Sequence, residues 1–323
     1  VTILKFAKGA VVDGGAITED APSFIDATVI TTLKFDLRGN SLEQTIKKYS
    51  DSGLTKLVET QAIKNQPYDF QDRASRSSII TTNSKGAFVD RQEIVYVSYD
   101  LFGNAVSQTI ERYDSTDKLI DYKTILNTYA NPAAARRGNA THTTINRYQD
   151  LAKTKEIERQ EISNKTFDSV GNVVDQEVEL YVSGKLSRVT AIKNSNISNR
   201  GDAGNQEITT YTTDSEGKNP IESSYQLITN RVFDSDRNVL NQLSINYDKK
   251  GGVVLDVSEI RNLSFDSRGN VLSQKVATFS DIGKKELLDI KVITNENLDS
   301  SGNAALVTIL KFAKGAVVDG GAI

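Results

Sequence analysis

Apolar and polar positions alternate along this chain in short runs and never settle into a helical stripe. Leu288–Asp289–Ile290–Lys291–Val292 alternates at period two, as a half-exposed β-strand does. Segments of about 10–12 residues rich in Val, Ile, Thr and Tyr lie between clusters of Asp, Gly, Asn and Ser. No window sustains the 3.6-residue period of an amphipathic helix. The reading is all-β. Neither strand face is consistently apolar: Val257, Glu259, Arg261, Leu263 and Phe265 share one face, and Ser258, Ile260, Asn262 and Ser264 the other. Packed sheets need a dry face each, so the pattern predicts a wall wetted on both sides.

The punctuation between runs is itself periodic. Aromatic-Asp-x-x-Gly-Asn-x-x-x-Gln stands at Phe35, Asp36, Gly39, Asn40 and Gln44, and again at Tyr99, Asp100, Gly103, Asn104 and Gln108. It returns at Phe167, Asp168, Gly171, Asn172 and Gln176, and at Phe265, Asp266, Gly269, Asn270 and Gln274. A variant from Phe233 to Gln242 has Arg237 in place of the Gly. Degenerate copies start at Tyr68 and Leu298, and Gly138-Asn139 and Gly204-Asn205 keep only the pair. Nine residues past the Asn an aromatic recurs, as at Tyr49, Tyr113, Tyr148, Tyr181, Tyr247, Phe279 and Phe312, and a second turn follows it. A third landmark is an Ile with a polar residue two places on, as in Ile63/Asn65, Ile125/Asn127 and Ile260/Asn262. Asp, Gly and Asn between β-branched runs form a hairpin signal. Two turns per unit mean two strands per unit.

Val1–Ile17 and Val307–Ile323 are identical, an offset of 306 residues. Nine units averaging 34 residues fill that interval. The chain therefore reads as one continuous array over 1–323, a 306-residue super-repeat plus a 17-residue overlap, with longer loops near 14–24 and 131–137. The expected product is a long antiparallel β-meander of about 18 strands per block. Flat sheets of that length twist and expose their edges, so the meander should curl into a hollow tube or spiral shell. A β-helix solenoid is the competing fold. At about 4.8 Å per strand, 18 strands make about 86 Å of wall, or a tube about 27 Å across. If one block made one turn, Val307–Ile323 would sit directly above Val1–Ile17.

These aromatic-Asp-x-x-Gly-Asn units, with an aromatic before the next turn, resemble the YD-repeat (Rhs-like) family. The resemblance implies an antiparallel β-strip wound into a hollow shell, often secreted or on a cell surface and in some members enclosing a toxin. Two departures stand out. The family's Asp-Pro-x-Gly core motif is absent, since Pro22, Pro67, Pro132 and Pro220 follow none of it. A repeated 306-residue block is also not what a closed capsule needs.

Composition narrows the setting. The chain has no Cys, Met or Trp, which excludes disulfides and thiolate chemistry and suits an exposed, extracellular or cell-surface protein, bacterial in style. Net charge is −3 with the signs interspersed, leaving no basic stripe for nucleic acid. No apolar run is long enough to insert in a membrane. Histidine chemistry rests on His142 alone, expected as a surface strand residue rather than part of a Ser/His/Asp triad. The recurring Asp36, Asp100, Asp168, Asp234 and Asp266 read as caps for turn backbone; Ca²⁺ is the weak alternative, densest at Asp299 beside Asn295, Glu296 and Asn297. No other cofactor is expected. Gln44, Gln108, Gln176, Gln242 and Gln274 share one register and should form a ladder along the wall. The aromatics nine places past the Asn should pack across strands, with a sugar groove as the alternative. Arg200-Gly201-Asp202 spells an integrin-binding tripeptide, too short a match to carry weight.

The expectation is a structural protein, not an enzyme. It would form the wall of a tube or filament and partner with itself through strand edges. A repetitive adhesin stalk and a shell around cargo are the alternatives.

Overall fold

The computed structural model describes residues 1–6, 12–13, 16–17, 24–299 and 301–313. Nearly every described run between turns is a strand: β1 (Thr2–Phe6), β2 (Val12–Asp13), β3 (Ala16–Ile17), β4 (Phe24–Phe35), β5 (Ser41–Tyr49), β6 (Leu57–Asn65) and β7 (Arg76–Asn83). The series continues with β8 (Phe88–Tyr99), β9 (Ala105–Tyr113), β10 (Leu119–Thr128), β11 (His142–Tyr148), β12 (Glu156–Phe167), β13 (Val173–Val182) and β14 (Lys185–Ile197). It ends with β15 (Ala203–Thr212), β16 (Ile221–Phe233), β17 (Val239–Tyr247), β18 (Val254–Phe265), β19 (Val271–Phe279), β20 (Leu287–Leu298) and β21 (Ala304–Ala313). Nineteen of these strands form one sheet, and β2 pairs only with β3.

Every pairing is antiparallel and, apart from β1 with β4, joins strands that follow one another in the chain. β1 pairs with β4, and β20 with β21. The sheet is an open meander rather than a β-helix. The loop near 14–24 lies largely outside the described residues. The 131–137 segment is more than a loop: it holds one helical turn, α1 (Pro132–Ala135), whose first N–H groups are capped by Asn131 Oδ1 at 3.0 and 3.1 Å. Pro132 at the first helical position has no N–H to leave unsatisfied.

The turn motif works as a backbone cap. Asp36 Oδ1 accepts the N–H groups of Arg38 and Asn40 at 2.9 and 2.8 Å, and its Oδ2 accepts Asn40 Nδ2 at 2.9 Å. The same three bonds recur at Asp100, Asp168 and Asp299. The motif Gly takes positive φ, 90° at Gly39 and 89° at Gly171, and Arg237 adopts φ 70° where the variant unit lacks Gly. Gly204-Asn205 is not a turn, contrary to the motif reading. It lies within β15, and the turn of that unit is Ser198–Asp202, with Gly201 at φ 90° and Ser198 Oγ accepting from Arg200 and Asp202 N–H.

The core is thin. The one cluster of buried apolar residues among those described centres on Leu240 and Phe265, flanked by Val232 and Val271. Many of the most buried side chains are charged or polar, as the mixed faces implied.

Candidate functional site: a charged seam across the wall

Strand register sorts side chains onto two faces. On one face each ladder Gln lies opposite a landmark Ile: Gln44 and Ile63, Gln108 and Ile125, Gln176 and Ile192, Gln242 and Ile260, Gln274 and Ile293. The recurring hydrogen bond comes from the polar residue two places past that Ile. Asn65, Asn127, Asn262 and Asn295 each donate Nδ2 to a carbonyl at the start of the preceding strand, at 2.8–3.3 Å. Gln176 also donates to Asn164 Oδ1 at 2.8 Å. On the other face the recurring aromatics pack across strands. Tyr148 lies 6.4 Å from Tyr122 and Tyr247 5.5 Å from Tyr225, while Arg91 and Arg159 cover Tyr113 and Tyr181 at 4.3 and 4.1 Å.

Four residues past each ladder Gln, on the same face, runs a charged row that the motif search missed. Nine residues before each turn aromatic, or its stand-in, stands an acid: Asp26, Glu59, Asp90, Asp121, Glu158, Asp256 and Asp289, with Arg188 and Ser224 in the remaining two units. In three units the cross-strand partner supplies the opposite charge, pairing Lys48 with Glu59, Arg112 with Asp121 and Arg147 with Glu158, whereas Asp256 faces Asn246 and Asp289 faces Thr278. The fixed spacing was visible in the sequence. Its meaning was not, because acids on a polar strand look like solvated surface.

The structure shows what meets this row. The turn between β18 and β19 lands on it. Asp266 carbonyl accepts Lys48 Nζ at 2.7 Å, Ser267 Oγ bonds Glu59 and accepts Gln61 Nε2 at 2.9 Å, and Arg268 Nη2 pairs with Asp90 Oδ1 at 2.8 Å. The next turn repeats the contact, with Ser301 Oγ accepting Arg112 Nη2 at 3.2 Å. Chain separations across the seam run from 178 to 218 residues. The sheet therefore meets itself after about twelve strands. That corrects the one-block-per-turn expectation, because a lap is far shorter than 306 residues. Lap length follows sheet twist and coiling, which no repeat count encodes.

The seam is electrostatically committed. Asp90 and Asp121 are fully buried. Burial pushes the Asp121 carboxyl up, but bonds from Arg112 and Arg147, at 2.7 and 2.6 Å, hold it below the ordinary carboxylate value. Burial, with Asp266 nearby, raises Glu59 instead. A cavity of about 340 Å³ flanks the contact, lined by Leu57, Val89, Leu272 and Leu298 as well as Glu59 and Arg268.

The turns are also tied sideways. Arg38 reaches Asp69 carbonyl at 2.6 Å and Asp72 at 3.0 Å, and Arg237 pairs with Asp202 at 2.7 Å. Arg200 donates to Ser235 carbonyl at 2.6 Å. The Arg-Gly-Asp tripeptide is thus a copy of the repeat turn with both charged residues engaged. His142 bonds Glu161 at 2.9 Å and Ser163 at 3.2 Å, on the open aromatic face of β11 and β12. Asp299 caps its own turn. No group of three or more acidic or histidine ligands suited to a metal occurs among the described residues, and none of their helices is long and apolar enough to cross a membrane.

No family model and no curated protein matches the chain. Among solved structures it is similar to TcdB2-TccC3, at 11% identity and TM-score 0.22, over 94% of this chain and 21% of that one. It is also similar to the Photorhabdus luminescens Tc holotoxin pore, at 10% identity and TM-score 0.17, over 87% of this chain and 20% of that one. The chain spans about a fifth of the length of these solved chains. Overlap at that level bears on neither fold nor function.

Proposed function

We propose that this chain is a structural protein, the wall of a coiled β-sheet tube or filament outside the cell, with no catalytic role and no resident cofactor. The seam carries the reading: turns of a later lap lock onto a charged row of an earlier one through buried, paired groups. Covering such a row costs stability unless its charges are paired, and here they are. The turn Asp carboxylates bond their own turns, which favours capping over Ca²⁺. The lack of Cys and Met fits an oxidising exterior. Partners are further copies of the same wall. About twelve strands at about 4.8 Å give a lap about 58 Å around, about 18 Å across before strand tilt widens it.

The seam also favours a second reading. One block contains more than one lap, so a finite Rhs-like shell needs no tandem copies. A bare adhesin stalk has no such support.

Cryo-electron microscopy of purified tandem blocks tests the proposal. Hollow objects with a wall one sheet thick and laps spaced near one strand length, about 35–40 Å, are expected. Closed particles would select the shell. Flat ribbons or solid rods would refute the coiled wall.

A further inference from the structure

We infer that the cavity in the seam is a binding site for a small organic ammonium with an apolar body, held by the Glu59 carboxylate. The inference rests on the coiled wall and its seam, whether that wall ends as a filament or a shell. Both sides of the cavity lie well inside the array. Leu57 of β6 and Val89 of β8 come from the earlier lap, Leu272 of β19 and Leu298 of β20 from the later one. Its volume of about 340 Å³ falls within the span of small-molecule sites, about 300–1,000 Å³.

Glu59 is the group that points to a ligand. It is 8% exposed and lines this cavity. Ser267 Oγ bonds its Oε1, and no donor among the described residues reaches Oε2. The sealed side-chain oxygens without partners belong to other residues, so Oε2 opens on the cavity. No described cation forms an ion pair with Glu59. Lys48, opposite it in the ladder, gives its Nζ to Asp266 carbonyl at 2.7 Å and to Asp26 at 3.3 Å instead. Arg268 is paired with Asp90 at 2.8 Å. Burial raises the Glu59 carboxyl, the mark of a charge that has given up water without gaining a counterion.

Charge and shape set the ligand class. Glu59, Asp266 and Glu296 line the cavity against Lys85 and Arg268, and Asp90 neutralises Arg268. The surplus is negative, so an anion is repelled and a cation supplies the missing counterion. The Leu and Val side chains from both laps suit an apolar body beside that cation. A molecule seated there touches both laps, so it stabilises the closed seam by mass action.

Phenethylamine, protonated at neutral pH, is the probe. Phenethyl alcohol and phenylacetate are its neutral and anionic matches, each titrated into the chain by calorimetry. The amine should bind about tenfold or more tighter than the alcohol, and phenylacetate should not bind. Glu59→Gln keeps the side-chain volume and should lower amine affinity about tenfold or more, with a melt to show that the fold survives. Leu272→Trp keeps the carboxylate, fills the cavity and should lower it likewise. Added amine should slow hydrogen exchange in peptides covering β6, β8 and the 260–275 turn. Equal affinity for amine and alcohol, or unchanged binding by Glu59→Gln, would overturn the inference. No binding while those peptides are protected in the free chain would remove this site alone. No binding with those peptides unprotected would remove the coiled wall as well.

Discussion

Arg268→Ala should unlock the seam without unfolding the sheet. Asp90 is fully buried, and Arg268, 20% exposed at its side chain, pairs with it at 2.8 Å, with Arg112 near enough to feel the same charge. Gln92 Nε2 remains as a neutral donor to Asp90 at 2.9 Å. Stranding a buried charge costs about 3–5 kcal/mol, and the remaining amide bond places this case near the low end, about 3 kcal/mol. Adding Asp90→Asn removes the charge and should recover most of the loss, leaving about 1 kcal/mol for the missing bond. Repeat arrays do not unfold in one step, so hydrogen exchange read by peptide is the suitable assay. Peptides covering β8 and the 260–275 turn should exchange about a hundredfold faster, and those in β13–β15 should not change. A loss below about 0.5 kcal/mol, the scale of an exposed pair, would refute the seam as a lock. A uniform change across all peptides would refute it as a local one.

Gly171→Ala should cost far more than Gly39→Ala, compared by thermal melts. Both sit at φ near 90°, but a Cβ at Gly171 would meet Ala133 backbone at 2.5 Å, and one at Gly39 meets nothing within 4 Å. Strain from positive φ alone is about 1–2 kcal/mol; overpacking adds about 1–3 kcal/mol at Gly171. Phe265→Ala should destabilise by about 3–5 kcal/mol in denaturant titrations, whereas Phe35→Ala at the same motif position should cost little, since Phe265 is 4% exposed and Phe35 58%. Stability should also fall with acid. Asn40 and Asn172 hold Asp36 and Asp168 below the ordinary carboxylate value of 3.8, so their contribution is complete above about pH 4 and disappears as pH drops through the folded values. Glu59 runs the other way, raised by burial from 4.5, and its contribution fades as pH rises. Glu59→Gln should therefore raise the melting temperature at pH 7 and leave it unchanged near pH 3.

Strand number, antiparallel order and turn chemistry were legible because each rests on local rules. Asp-x-x-Gly-Asn names its own hydrogen bonds, and period two puts Gln44 and Ile63 on one face while the turn between them sets the register. The unit containing Gly204-Asn205 misled because Ser198 does the work of the usual Asp, so the motif slid by three residues onto the wrong glycine. Asn131–Arg137 looked like a plain loop because one capped helical turn has no room for an apolar stripe. The charged row stayed unread for a different reason. Asp90 and Arg268 become partners only when the sheet has coiled, and coiling accumulates from small twists in every strand pair.

Lap and block are incommensurate. Ser301 meets Arg112 after 189 residues, whereas identical sequence returns after 306, a little over one and a half laps. In any tandem array, equal side chains would then step around the axis like the marks of a vernier instead of lining up along it. A patch on one block would have its twin on the far side of the object.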